Sequence, residues 1–342
     1  MRLYWIALAV AAVAAVFAPT VLYPVFLMKA LCFALFACAF NLLLGYVGLL
    51  SFGHAAFFGF AAYATGHAAK VWGWNPEFAV LAGTAVATGL GLAFGALAIR
   101  RQGIYFAMIT LALAQMVYFF SLQAPFTHGE DGIQAIPRGE LFGLFDLRNT
   151  ETMYFFVLAV FAGGLWLIWR TVHSPFGQVL KAIRENEQRA VSLGYKVDHY
   201  KLTAFVMSAA LSGLAGSVKA LVFQLASLTD VHWHTSGEVV LMTLLGGMGT
   251  VLGPVVGAFL VVTVQNYFAT FGAWVTIIQG VIFVVVVLLF RRGIVGELNA
   301  LWLRLRRRSV PAATTPPAAA RPGVEPAAHE PPPRKRRVGE GS

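Results

Sequence analysis

Long apolar blocks separated by short polar stretches set the organisation of this chain, at about 4–23, 25–44, 47–66, 78–99, 104–122, 152–170, 200–226, 236–267 and 274–290. Most approach the roughly 20 residues that a helix needs to cross a hydrocarbon core about 30 Å thick. Barrel strands would alternate outward apolar and inward polar positions, and these blocks do not. The pattern predicts an all-α, polytopic membrane helical bundle. The first block, "MRLYWIALAVAAVAAVFAPT", has the early Arg2 and the small residues of a signal peptide. A second block follows almost at once in a multi-spanning chain, which favours a retained first helix.

Basic residues assign the sides of the membrane. Arg100 and Arg101, the set from Arg170 to Lys196, and the cluster from Arg291 to Arg308 are expected in the cytoplasm. Segment 123–151, with Glu130, Asp131, Glu140, Asp146 and Glu151 against Arg138 and Arg148, is expected outside. A chain crosses an even number of times between two cytoplasmic points. The four blocks before Arg100 and the two between Arg101 and Arg170 satisfy this, but the last three do not. Block 236–267 must therefore cross twice or dip and return. Its "LLGGMGTVLGP" supplies Gly246, Gly247, Gly249, Gly253 and Pro254, which lipid tolerates only where neighbouring groups satisfy the freed backbone. A broken or re-entrant pair is expected there, with about ten crossings and both termini cytoplasmic.

Composition agrees: hydrophobic residues make up 58% and charged residues 12%, and the mean hydropathy is +0.73, values that exclude a water-soluble domain of this length. The net charge of +10 is local, because the stretch from Arg291 onward holds eleven Lys or Arg against four Glu, a net of +7. Residues 1–308 are expected to form the transmembrane domain. Residues 309–342, rich in Pro and Ala and without apolar period, are expected as a disordered, basic cytoplasmic tail. Arg334 to Arg337 suit anionic lipid, and nucleic acid is not an expected partner. Cys32 and Cys38 share one apolar block and read as small hydrophobes, with no disulfide and no metal site expected.

The glycine-rich stretch 246–254 matches neither the dinucleotide fingerprint nor the nucleotide P-loop, and no Gly-Lys pair occurs in the chain. ATP-driven work would have to come from another subunit. One segment stands apart from the apolar blocks: "SPFGQVLKAIRENEQRAVSLGY" at 174–195. Ser174 and Pro175 open a helix and Gly194 stops it. Phe176, Leu180 and Ile183, with Ala190 and Leu193, recur near helical period, while Lys181, Arg184, Glu185, Glu187 and Arg189 occupy the remainder. Such a helix can lie on lipid, cover the protein's own loops, or dock on a partner. The mixed signs argue against simple lipid binding, and leave docking and a merely solvated face both open.

The wording of this segment resembles the cytoplasmic coupling loop of ABC-transporter permeases, in particular the branched-chain amino acid permease family. Three further stretches are similar to that family: "NLLLGYVGLLSFGHAAFFGFAAY" at 41–63, "RRQGIYFAMITLALAQMV" at 100–117, and "LGGMGTVLGPVVGA" at 245–258. The matches touch most of the chain between about residues 30 and 292, and the tail lies outside them. The resemblance implies a non-catalytic permease subunit of an ATP-driven importer in a bacterial inner membrane. Its implied partners are a second related permease, two cytoplasmic ATPase subunits that hold ATP and Mg, and an extracytoplasmic substrate-binding protein. No cofactor is expected in this chain. Arg184, Glu185, Glu187 and Arg189, with Gly194 as the turn, are the docking residues it implies. Relatives that handle leucine-like amino acids, short amides or urea share the pattern. A self-sufficient secondary transporter would want acidic residues inside its spans, and Glu238, at the start of its block, is the one candidate.

Polar residues within the spans are expected to face the bundle interior or a pore: Asn41, Ser51, His54, Gln115, Gln224, Gln265 and Asn266. Ser51, Ala55 and Gly59, and likewise Ser208, Ser212 and Gly216, repeat every four residues and suit close helix packing. His54 reads either as a residue of the translocation path or as a hydrogen-bonded packing histidine at a helix break. Helix ends freed near Gly53 and Gly247 could aim amide hydrogens at a substrate carboxylate. Ser51, Gly53, His54, Gly247 and Gly249 are therefore the candidate path residues. Lys219 is expected to snorkel to the outer interface.

Overall fold

Proline and glycine punctuate the helices where the apolar blocks end. The computed structural model describes residues 18–20, 22–269, 272, 274–289 and 293–297. Most of the first apolar block, the basic side chains of the 291–308 cluster and the tail 309–342 lie outside the described residues. The helices are α1 (Pro24–Leu44), α2 (His54–Lys70), α3 (Pro76–Ala98), α4 (Ile104–Gln123), α5 (Thr150–Val172), α6 (Pro175–Glu185), α7 (Glu187–Ser192), α8 (Val197–Phe223), α9 (Leu228–Val231), α10 (Trp233–Gly246), α11 (Gly253–Tyr267) and α12 (Trp274–Leu289). Proline opens α1, α3 and α6, where a missing amide hydrogen costs nothing.

Helices α1 and α8 form the centre. In their apolar windows 89% and 72% of residues are buried, against 33%, 33% and 28% for α3, α4 and α5, whose outward faces remain free for lipid or protein. Helix α8 packs on α1, α2 and α3, while α1 also contacts α5 and α11. Lipid tails are as apolar as leucine, so burial alone does not hold such helices together and close approach of small residues must. A Cβ on Gly216 would collide with the carbonyl of Phe58, which places α2 directly against α8. The repeats at 51–59 and 208–216 are thus packing surfaces.

Two of the apolar blocks are not uninterrupted helices. Block 47–66 does not start as a helix: residues 45–53 are non-helical and mostly buried, and α2 begins only at His54. Glycines at 45, 48 and 53 weaken helix propagation, and side chains take over the freed backbone. The Phe52 amide donates to Thr110 Oγ1 at 3.2 Å and the Gly53 amide to Ser51 Oγ at 3.2 Å. Block 236–267 breaks as expected, into α10 and α11 around a turn at 247–252. That turn lies at the end of the bundle that carries α6, since Gly249 abuts Arg184. Gly293, beyond α12, packs on Gly247 at the same end. The block thus runs to that end and back from it as two short apolar helices of 14 and 15 residues.

The opposite end is capped by residues 124–149. Strand β1 (Ile133–Gln134) pairs antiparallel with β4 (Leu225–Ala226), and β2 (Glu140–Leu141) pairs with β3 (Phe145–Asp146), the small exceptions to an all-helical chain. Arg138 donates to the carbonyls of Leu221 and Val222 at 3.3 and 2.8 Å, capping the C-terminus of α8 with a cation. Lys70 donates to the Gln134 carbonyl at 2.8 Å and ties down the end of α2.

Candidate functional site

At the α6 end, Ser174 caps α6 by accepting from the Gly177 amide, and Gly194 adopts φ +88°, as their positions in the sequence predict. The single helix expected over 174–195 is instead two. Asn186, extended at φ −158° and ψ 100°, ends α6 and caps α7 by accepting from the Arg189 amide at 3.0 Å. Asparagine competes with the helix by bonding its own backbone, which explains the break. Leu180, Ile183 and Ala190 are buried against the bundle, whereas Val191, Leu193 and Tyr195 are 56%, 70% and 42% exposed.

The five residues implied as docking contacts divide. Glu185 and Arg189 are exposed, and Gly194 makes the exposed turn beside them. Arg184 is exposed as well, but its Nη1 reaches back and donates to the Gly45 carbonyl, and its stem covers Gly48. Glu187 faces inward, pairing with Lys201 Nζ at 2.5 Å and accepting from Gln102 Nε2 at 2.7 Å. The segment is thus bolted to its own bundle at two polar points and presents an apolar knuckle with a charged rim.

The two broken stretches meet beneath it. Asn41, in the last turn of α1, uses both ends of its amide: Nδ2 donates to the Thr250 carbonyl at 2.8 Å, and Oδ1 accepts from the Gly249 amide at 3.0 Å. Gly247 and Gly249 adopt φ +119° and +75°, which favour glycine. Ser51 and Gly53 hold the entry to α2. His54 lies deeper and fully buried, edge-on to the rings of Phe40, Phe57 and Phe205. Ser208 Oγ gives its hydrogen to the Ala39 carbonyl at 2.5 Å, so it accepts from His54 Nε2 at 2.8 Å and fixes the Nε2–H tautomer. Nε2 is thus bonded as in a packing histidine at a helix break, while the buried Nδ1 has no hydrogen-bond partner among the described residues. The structure brings Gly249 against Arg184 and Gly45, while Ser51 and Gly53 precede α2 and His54 opens it.

A third polar cluster lies toward the opposite end, where a cavity of about 650 Å³ is lined by Lys29, Lys219, Asp230, Glu238, His232 and Gln265, among others. Lys219 does not snorkel outward as expected. Its Nζ contacts both Asp230 oxygens at 2.5 Å, because α9 places that carboxylate beside it. Glu238 accepts from Gln265 Nε2 at 3.0 Å. Sequence reasoning passed over Lys29 and Asp230. The signal was present in Lys29, a cation five residues into an apolar block.

Residues 22–289 match the family model described as "Branched-chain amino acid transport system / permease component". Two relatives are the "High-affinity branched-chain amino acid transport system permease protein LivM" of Salmonella typhimurium and that of Escherichia coli, each 27% identical over 277 residues. Those alignments cover 74% of this chain and 65% of each relative, so the chain spans a little under two thirds of the length of these proteins. The "Ribose import permease protein RbsC" of Bacillus subtilis is 28% identical over 203 residues, covering 53% of this chain and 58% of that protein. No solved structure matches the chain.

Proposed function

This chain belongs to the family of permease components of branched-chain amino acid transport systems, and from that premise we propose that it is the membrane-spanning subunit of an ATP-driven importer of branched-chain or related amino acids. Its ATPase docks on α6 and α7 in the cytoplasm, a second permease pairs with it in the membrane, and a soluble binding protein delivers substrate to the opposite, capped end.

The observation that carries this reading is the exposed knuckle of Val191, Leu193 and Tyr195 with Glu185 and Arg189 at its rim. A free apolar surface in water, seated on a segment that is itself bonded to the spans, is what an external motor needs to grip. The LivM relatives support the amino acid substrate. Leu193→Cys, cross-linked in membranes that contain the whole system, should capture the ATPase, and Leu193→Asp should lower ATP-dependent uptake. Uptake driven by this chain alone, or no loss in Leu193→Asp, contradicts the reading.

A further inference from the structure

The cavity near the capped end holds two cations and two anions, and they are not equivalent. Lys219 and Asp230 satisfy one another, with Ser227 Oγ adding a third bond to Asp230 at 3.1 Å. That pair fastens α9 to α8 and builds one wall. Lys29, from α1, projects into the same space with no hydrogen bond or ion pair among the described residues, and the charges that act on it are Lys219, Glu238 and Asp230. Glu238, from α10, accepts from the neutral Gln265, and its nearest cationic candidate, His234, lies 3.9 Å away. The cavity therefore offers one ammonium and one carboxylate that share no hydrogen bond and act on one another only through space, with His234 at the edge of reach of Glu238. Phe33, Phe223 and Leu225 supply apolar lining beside them.

We propose that this cavity binds a zwitterionic amino acid, with Lys29 receiving the α-carboxylate, Glu238 the α-ammonium, and Phe33, Phe223 and Leu225 the apolar side chain. The inference rests on the amino acid reading above and deepens it. A zwitterion brings a charge to each of the two groups at once, whereas urea, a short amide or a sugar would part them from water and from one another without supplying either charge, so the same geometry selects against neutral solutes. The volume lies within the range of about 300–1,000 Å³ usual for small-molecule sites.

The test uses the whole transporter, reconstituted in liposomes with its ATPase, partner permease and binding protein. Labelled leucine uptake should fall by about tenfold or more in Lys29→Met and in Glu238→Gln, since truncating one member of a buried charge interaction strands the other. Lys29→Arg should restore most of the uptake. On the unmutated complex, a diazirine analogue of leucine should label peptides carrying Phe33, Phe223 or Leu225 during turnover, which decides the matter even if a variant fails to assemble. Wild-type uptake of leucine with both variants unimpaired, or labelling confined to other peptides, overturns the site and leaves the amino acid importer standing. A wild-type complex that accumulates no amino acid overturns the importer reading itself.

Discussion

Lys201 is the most deeply buried charged side chain among the described residues, 1% exposed in the first turns of α8, and Glu187 is its ionic partner at 2.5 Å. At an effective dielectric of about 20, a gross attraction of about 7 kcal/mol acts between them, most of it offset by the desolvation of Lys201. Removing one member of such a pair costs about 3–5 kcal/mol, because the survivor stays buried without compensation. The Glu187 side chain is 24% exposed, so water screens part of this and about 2–4 kcal/mol is the expected loss for Glu187→Gln. Lys201→Met should cost less, since it leaves the half-exposed member behind, and Glu187→Gln with Lys201→Met should recover most of the single-variant loss. The assay is reversible unfolding in mixed micelles, run as a double-mutant cycle, with trypsin cleavage at Arg189 and Lys196 as a local readout. Equal stability of wild type and Glu187→Gln, or additive losses in the double variant, would falsify the claim that this pair anchors α7.

Asn41→Leu removes both bonds to the 247–252 turn; a loss of about 1–3 kcal/mol is expected, read as faster hydrogen exchange at Gly249 and Thr250. Gly216→Ala should sharply lower stability, because the new methyl meets the backbone of Phe58 rather than a movable side chain, whereas Gly89→Ala, which meets nothing within 4 Å, should be neutral or stabilising by up to about 1 kcal/mol. Thermal unfolding of the two variants side by side makes the comparison. His232, at the start of α10, is held below the ordinary imidazole pKa by burial and then by His234. Its Nδ1 accepts from the His234 amide at 3.3 Å, a bond that protonation abolishes. The folded value lies below the unfolded one of about 6.5, so its contribution to stability is present above that pH and is lost as pH falls through the folded value. His232→Gln should flatten the acid limb of a stability–pH profile.

Helix positions were legible because apolar length and proline or glycine boundaries are local properties of the chain. Parity even located the break between α10 and α11 before any contact was known. A break near Gly53 was legible from its glycines, but the reach of the non-helical stretch back to residue 45 was not, because it is held by Thr110 and Arg184, far away in sequence. The bonds of Arg184 to Gly45 and of Glu187 to Lys201 escaped for the same reason: a charged residue on a helical period looks solvated until the group opposite is known. Asp230 could not be read as the partner of Lys219 without the fold of β4 and α9 back onto α8. Charge inside an apolar block was the one sign that pointed to the cavity, and Lys29 carried it.

The contacts of α6 suggest where a push from outside would go. Lys181 sits over the ring of Tyr46 at 5.8 Å, and Arg184 bonds the Gly45 carbonyl while its guanidinium lies against Gly249. Both reach the non-helical stretch, and Asn41, in the last turn of α1 just before it, bonds the 247–252 turn. Backbone held by scattered side-chain bonds yields before a continuous helical ladder does, so displacement of α6 should reach these two loops first. Arg184→Met isolates the route, because the Glu187–Lys201 pair keeps α7 in place. A hydrogen bond from a charged donor contributes about 1.5–3 kcal/mol, so exchange at 45–53 and 247–252 should quicken by about tenfold or more while 187–200 stays unchanged. If exchange rises only within α6, Arg184 is a local clasp and the two loops are not the receivers of the push.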